Sequence, residues 1–291
     1  MNILITCQFF NYCSGSAMYV HDLAIELKRR GNTVTILSEL GGEISNSALK
    51  AGIKLVDFSQ VFSIQDEHFD VLHLNQSGPA EMAIEFWPDT PATMTLHSSL
   101  GIEAPYIHPN IKKYIAAKQT EVEKFKALNP QLIHIGVDFE RYNTKGAAKV
   151  AADREQLGIA DKKSIVFIGS YDRLREKALT DLIAKGKEQG FTVVFVGRPM
   201  LGHQPPQGVM LVQETFFIEK WMEASDGVAS ILLGRTAIET WACGKDYWCY
   251  DVNEKGDILG LTVMPPPEDM SQYDIKFMTD RIFEIYQNII Q

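Results

Sequence analysis

The first forty residues constrain this chain more than any other stretch. The apolar run Ile3-Leu4-Ile5 leads into a Ser/Gly turn, and Val20, Leu23, Ala24 and Leu27 follow at helical spacing. That pattern closes on Lys28-Arg29-Arg30 and Gly31, a basic last turn with a glycine stop, and Val34 to Leu37 begins the next strand. Two strands joined through a helix run parallel, and a parallel sheet must be covered on both faces. The expectation is therefore an α/β fold.

Further strand candidates are Ile53 to Val56, Val71 to Leu74, Met94 to Leu96 and Leu132 to Ile135. The alternation breaks at the polar, Ala-rich stretch NTKGAAKVAADREQLG, which reads as a linker leading into a short helix. It restarts with Ser164 to Ile168, a helix through Leu179 and Ile183, and strands at Phe191 to Val196, Val209 to Val212, Val228 to Ile231 and Tyr247 to Tyr250. Pro265, Pro266 and Pro267 end this half. Ser271 and Asp274 read as a capping pair for a last helix whose apolar face is Ile275, Met278, Ile282, Ile285 and Ile289. A length of 291 residues suits two domains. The expected division is 1–142 and 159–270 as two Rossmann-like domains, 143–158 as linker and 271–291 as the final helix.

With 45% hydrophobic residues and no apolar run of membrane-spanning length, the composition is that of a globular chain. The N-terminus lacks the basic segment of a signal peptide. Cys7, Cys13, Cys243 and Cys249 form no CxxC pair and have no His at metal-ligand spacing, so no metal is expected and a reducing cytoplasm is. A formal net charge of -9 argues against a positively coated nucleic-acid binder. The balance reverses between residues 111 and 149, where eight basic residues, Lys112 to Lys149, stand against four acidic ones. Such a run is usually a solvated helix face, and it is also the best place for an anionic acceptor or membrane surface to dock.

The stretch GRTAIETWACGKDYW, residues 234 to 248, carries one carboxylate, Glu239, early in a short helical run behind a Gly-Arg-Thr turn. A helix N-terminus after a glycine offers free backbone N–H groups to a phosphate. A carboxylate about one turn further in suits neutral hydroxyls such as those of a ribose. The alternative is a surface helix whose Glu offsets the macrodipole.

Taken in order, five segments resemble the retaining nucleotide-sugar glycosyltransferases of family 4, which have the GT-B fold. They are SGSAMYVHDLAIELKRRGNTVTIL, TMTLHSSLG, IHIGVDFERY, FIGSYDRLREKALTDLI and the Gly234 stretch. The resemblance runs nearly end to end. It implies two facing Rossmann-like domains with parallel sheets, and a C-terminal helix that returns to the first domain. It implies transfer from a nucleotide-diphosphate sugar, UDP- or GDP-linked, as co-substrate. On this likeness Glu239 binds the donor ribose, and Gly234, Arg235 and Thr236 face the diphosphate. His97 hydrogen-bonds the donor sugar, and Gly15 lets the first loop approach phosphate or acceptor. Closure of the domains then gathers His97, Arg173, Lys177 and Glu239 around one donor.

Arg173 and Lys177 follow the strand ending at Gly169 and lie about one helical turn apart, so both are expected on one leaving diphosphate, with Arg175 competing for Arg173's place. His73 reads as a structural histidine. Gly197, Arg198 and Pro199 either flank the base or form a surface turn. One departure from the family stands out: its earlier, sugar-contacting glutamate falls here on or near Ile231. No Asp-x-Asp metal signature is present, so metal-independent transfer is expected.

Three other readings compete. A nucleotide-sugar epimerase of the same fold needs an acid and a base around the sugar, and the missing acid near Ile231 disfavours it. A non-catalytic nucleotide-binding module leaves His97 and the cations without a purpose. A nicotinamide oxidoreductase lacks its GxGxxG after the first strand. The expected acceptor is a glycan, a lipid-linked sugar or a small metabolite, with hydroxymethylcytosine in DNA as the alternative.

Overall fold

A computed structural model describes residues 1–97, 103–142, 146–200 and 202–291. Residues 98–101 of the Thr-Leu-His segment, Leu201 and the start of the expected linker, 143–145 with Lys145 of the basic run, lie outside the described residues.

Along the chain the elements are β1 (Asn2–Phe10), α1 (Gly15–Arg29), β2 (Thr33–Leu40), α2 (Gly42–Lys50), β3 (Lys54–Asp57), β4 (Val71–Asn75), α3 (Ser77–Phe86), β5 (Ala92–Leu96), β6 (Ile111–Ala116), α4 (Gln119–Lys124) and β7 (Gln131–Leu132). They continue as α5 (Phe139–Tyr142), α6 (Ala147–Gln156), β8 (Ser164–Ile168), α7 (Arg173–Gln189), β9 (Thr192–Val196), β10 (Met210–Val212), α8 (Ile218–Ala224), β11 (Gly227–Ile231), α9 (Arg235–Ala242), β12 (Tyr247–Val252), β13 (Ile258–Met264) and α10 (Ile275–Ile290). Two compact units result, one formed by Met1–Asp138 with Ser271–Gln291 and the other by Phe139–Met270.

In the first unit the sheet order is β3-β2-β1-β4-β5-β6-β7, with every neighbouring pair parallel. β1 is an interior strand, third in this order, with Ile3, Leu4 and Ile5 fully buried, as a strand covered on both faces requires. Helix α1 starts where the Ser14 hydroxyl accepts from Ala17 N–H, and it stops before Gly31, whose φ of 83° is the left-handed conformation of a helix stop.

The C-terminal helix returns to this unit. Asp274 is the N-cap of α10, accepting from Lys276 N–H at 2.7 Å. Ile275, Met278, Ile282, Ile285 and Tyr286 are buried, while Ile289 at the end of the stripe is only half-buried. The chain before the unit boundary packs closely on the start of α10. A Cβ on Gly136 would lie 2.7 Å from Ile275 Cα and 2.9 Å from Asp274 O, so only glycine fits there.

In the second unit the order is β10-β9-β8-β11-β12-β13. Asp172 caps α7 by accepting from Leu174 and Arg175 N–H, and Gly190 ends that helix at φ 75°. Both sheets show the doubly wound order, in which successive strands add to one side and then switch to the other. The switch falls between β1 and β4 in one unit and between β8 and β11 in the other. Ligands of open α/β sheets bind at the carboxyl ends of the strands flanking such a point.

Four expectations need correction. The basic run is not one helical face. It begins in β6, where Ile111, Tyr114, Ile115 and Ala116 are buried and the lysine pair hid the strand, and the unit boundary after Asp138 divides it. The second sheet is parallel only up to its edge, because β13 pairs antiparallel with β12. The short turn over residues 253–257 dictates this, since a parallel return needs a crossover. β7 covers only Gln131–Leu132, not the expected strand to Ile135. The second compact unit starts at Phe139, four residues before the expected boundary, and α6 is the short helix into which the polar stretch was expected to lead, its Arg154 donating to the carbonyls of Ile159 and Lys162.

Candidate functional site

In the first unit, the carboxyl edge beside the switch is built from the end of β4. Asn75 and Thr6 lock the neighbouring strands: Asn75 N–H donates to Thr6 Oγ1 at 3.0 Å, and Asn75 Nδ2 donates to Thr6 O at 2.9 Å. Because Nδ2 is committed to a carbonyl, Oδ1 must be the atom 2.8 Å from His97 Nε2. Gln76 follows with φ 60° and ψ 149°, a region that non-glycine residues avoid. Its Oε1 accepts from Gln8 N–H at 3.1 Å and its Nε2 donates to Glu103 Oε1 at 3.0 Å.

His97 directly follows β5, and its ring meets Tyr19 of α1 edge-on at 4.9 Å. Burial holds its pKa below the ordinary histidine range. Glu103 pulls it back up, and Lys118 pushes it down. Gly15 is the first residue of α1 and faces open space, so that a Cβ at this position would touch nothing within 4 Å. Behind this edge, His73 is fully buried. Its Nε2 meets Thr95 Oγ1 at 3.0 Å and its Nδ1 meets Tyr286 Oη at 2.7 Å. Burial pushes its pKa down to about 3, so it is a neutral packing residue at ordinary pH.

In the second unit, β8 ends at Ile168 and Gly169 adopts φ 144° with the Arg175 side chain over it. A Cβ on Gly169 would lie 2.6 Å from Arg175 Nε. That Nε is buried and meets no acceptor among the described residues, while the guanidinium also pairs with Asp172. Arg173 and Lys177 are exposed, and Lys177 pairs with Asp257 of the β12–β13 turn, which holds the Asp257 carboxyl below its usual range. Of the three expected cations, Arg175 is therefore the one whose side chain lies on the β8 edge.

Across the switch, β11 ends in buried Ile231. The side chains turned outward at this point are Leu232, with φ 59°, and Leu233. Gly234 then caps α9 without any side-chain bond, so the first N–H groups of that helix are not taken by a capping side chain. Thr236 is half-buried in the first turn. Arg235 and Glu239 are both buried, with Nε 2.7 Å from Oε1, and Tyr142 Oη donates to the same Oε1 at 2.7 Å. Both bonds fall on Oε1. Glu239 is thus held rigidly from within the unit, a role that the spacing alone did not suggest.

Gly15 and His97 belong to the first unit, and Gly169, Arg173, Arg175, Lys177, Gly234, Arg235, Thr236 and Glu239 to the second. Sequence reasoning missed Asn75, Gln76, Glu103 and Tyr142. None of the four carried a local signal, because each meets its partner across at least 22 residues of chain. Among the described residues no group of three or more His, Cys, Asp or Glu side chains is placed to hold a metal, and no helix is long and apolar enough to cross a membrane.

Two Rossmann-like units, the last helix belonging to the first, define the GT-B fold. Solved glycosyltransferases share it. Anabaena Alr3699/HepE in complex with UDP and glucose superposes with a TM-score of 0.74 at 16% identity, covering 99% of this chain and 100% of that one. A glycosyltransferase from Rickettsia africae ESF-5 gives 0.71 at 17% identity, with 100% and 98% covered. An α-glucosyltransferase in complex with UDP and a 13-mer DNA containing an HMU base gives 0.59 at 12% identity, with 99% and 90% covered. No protein-family model and no curated protein matches the sequence.

Proposed function

We propose that this chain is a retaining, metal-independent glycosyltransferase that moves a hexosyl or pentosyl group from a nucleotide-diphosphate sugar to a hydroxyl acceptor. The observation that carries the reading is the turn from β11 into α9. It combines a helix N-terminus without a side-chain cap at the topological switch with a buried carboxylate one turn in. The diphosphate lies against the N–H groups of Gly234, Arg235 and Thr236, and the ribose hydroxyls donate to Oε2 of Glu239. Arg175 supplies charge from the β8 edge. Arg173 and Lys177 join it after Lys177 exchanges Asp257 for phosphate, an easy exchange for an exposed pair. These donors offset the charge that builds on the departing diphosphate. In the first unit, His97 is the residue proposed to contact a sugar hydroxyl.

UDP is the nucleotide to test first, because similar structures hold UDP or UDP-glucose. A glycan, lipid-linked sugar or small metabolite is the favoured acceptor. Free thiols at Cys7, Cys13, Cys243 and Cys249 fit a cytoplasmic setting. A second reading, transfer to a hydroxymethylated base in DNA, is favoured by the likeness to the α-glucosyltransferase complexed with DNA. The net charge of -9 and the division of the basic run oppose it.

The test is calorimetry with UDP, GDP and UDP-glucose, with mass spectrometry of the products in EDTA. UDP binding is expected, with an affinity about tenfold or more weaker in Arg175→Ala, because a charge-assisted bond to phosphate is lost. UDP release from UDP-glucose should persist in EDTA. No binding of either nucleotide refutes the donor site, and a strict Mg²⁺ requirement refutes the metal-independent chemistry.

A further inference from the structure

The end of β4 holds two side chains in fixed orientations and leaves each with an unused acceptor. Asn75 Oδ1 can only accept, so the His97 nitrogen facing it at 2.8 Å, Nε2, carries the proton. The neutral ring then bears its lone pair on Nδ1. Gln76 is fixed in the same way. Its Oε1 is taken by Gln8 N–H, so its Nε2 must face Glu103, and it donates to Oε1 of that carboxylate. The other oxygen, Glu103 Oε2, is buried and meets no donor among the described residues. A buried carboxylate oxygen without a donor is costly and calls for a partner. Gln76, with φ 60°, directly follows Asn75 at the end of β4, so two successive residues hold these two groups.

We infer that His97 Nδ1 and Glu103 Oε2 form a two-acceptor subsite in the first unit for a neutral, hydroxyl-bearing ligand, with Asn75 and Gln76 as its positioning residues. The inference rests on the sugar-transfer reading and adds to it the chemistry of recognition. A phosphate has only acceptors to offer and is repelled by the carboxylate, so the subsite excludes the diphosphate. A sugar hydroxyl donates, and a bond to a charged acceptor is stronger than one between neutral groups. The hydroxyl comes either from the donor's sugar or from an acceptor sugar.

The test uses the full chain and Glu103→Gln. The substituted amide keeps its oxygen toward Gln76 Nε2 and replaces Oε2 by an NH₂ donor. Two ligand series distinguish the two sources: UDP-glucose against its monodeoxy analogues, and, in the presence of UDP, D-glucose against its monodeoxy analogues. In one series, removing a single hydroxyl should weaken binding to the wild type about tenfold or more, and to Glu103→Gln by about twofold or less. The series that responds identifies the source. Equal losses in both proteins across both series overturn the subsite. Nitrogen-15 NMR of His97 gives an independent readout, with the proton expected on Nε2, and a proton on Nδ1 overturns the proposal as well. Failure of UDP to bind overturns only the donor reading, because the D-glucose series alone still tests the subsite.

Discussion

The turn after β4 and the turn after β11 occupy the same place in two copies of one topology. Each carries a non-glycine residue with positive φ, Gln76 at 60° and Leu232 at 59°. Gln76 is 2% exposed, with both ends of its amide bonded, whereas Leu232 is 48% exposed and beside it Leu233 is equally so. The interiors behind the two turns differ as well. Behind the first turn the buried polar cluster is neutral, the hydroxyls of Tyr19, Thr95 and Tyr286 around His73. Behind the second turn it is an ion pair, Arg235 with Glu239, joined by Tyr142. The same backbone device thus serves a polar acceptor edge in one unit and an apolar shoulder beside an uncapped helix in the other. The edge that presents acceptors suits hydroxyls, and the one that presents N–H donors suits an anion.

The largest expected effect comes from breaking the ion pair. Glu239→Gln removes the charge that faces the buried Arg235 guanidinium at 2.7 Å and should destabilise the second unit by about 3–5 kcal/mol. Urea unfolding followed by tryptophan fluorescence reports mainly on that unit, since Trp221, Trp241 and Trp248 all lie in it. The double variant Arg235→Met/Glu239→Leu should recover most of the loss. A loss under about 1 kcal/mol in Glu239→Gln would mean that the pair is solvated and worth no more than a surface one.

The neutral network of the first unit should respond to acid. The pKa of His73 falls from 6.5 to about 3 on folding, so below pH 6.5 the unfolded chain binds the extra proton. The associated stability is fully present above the unfolded value and is lost progressively as pH falls toward about 3, a few kcal/mol in all. Urea midpoints measured between those limits should fall with acid more steeply in the wild type than in His73→Asn. Parallel curves would show that His73 is protonated in the folded protein.

What the sequence made legible, and what it did not, follows from the range of the interactions. The β1–α1–β2 opening, the apolar stripe of α10 and the glycine turn into α9 are local patterns, and their period or punctuation is visible within one element. β6 was hidden because Lys112 and Lys113 break its apolar run, although most of that strand is buried. β13 was hidden for the opposite reason: its apolar residues are largely exposed on a sheet edge, so no alternation marks it. The site divides in the same way. Gly234 and Glu239 share one short helix and could be read together. Gln76 reaches Gln8 and Glu103 across 68 and 27 residues of chain, and Tyr142 reaches Glu239 across 97, so only the folded strands bring those partners together.

The smallest expected effect tests the comparison most directly, because it turns on sign. Glycine at either turn relieves a left-handed conformation that costs an L-residue roughly 1–2 kcal/mol, while freeing the unfolded chain costs about 0.5–1 kcal/mol. Leu232→Gly removes only an exposed side chain, and the backbone bonds from Tyr247 Oη to Leu232 O and from Leu232 N–H to Tyr250 O remain. It should stabilise the protein by roughly 0.5 kcal/mol. Gln76→Gly gains the same relief but leaves Gln8 N–H and Glu103 without a partner, a loss of about 1–3 kcal/mol, so it should be net destabilising. Thermal melts of the two variants under one set of conditions decide the matter. If both turn out stabilising, the Gln76 side chain holds nothing, and the two turns differ in composition without differing in function.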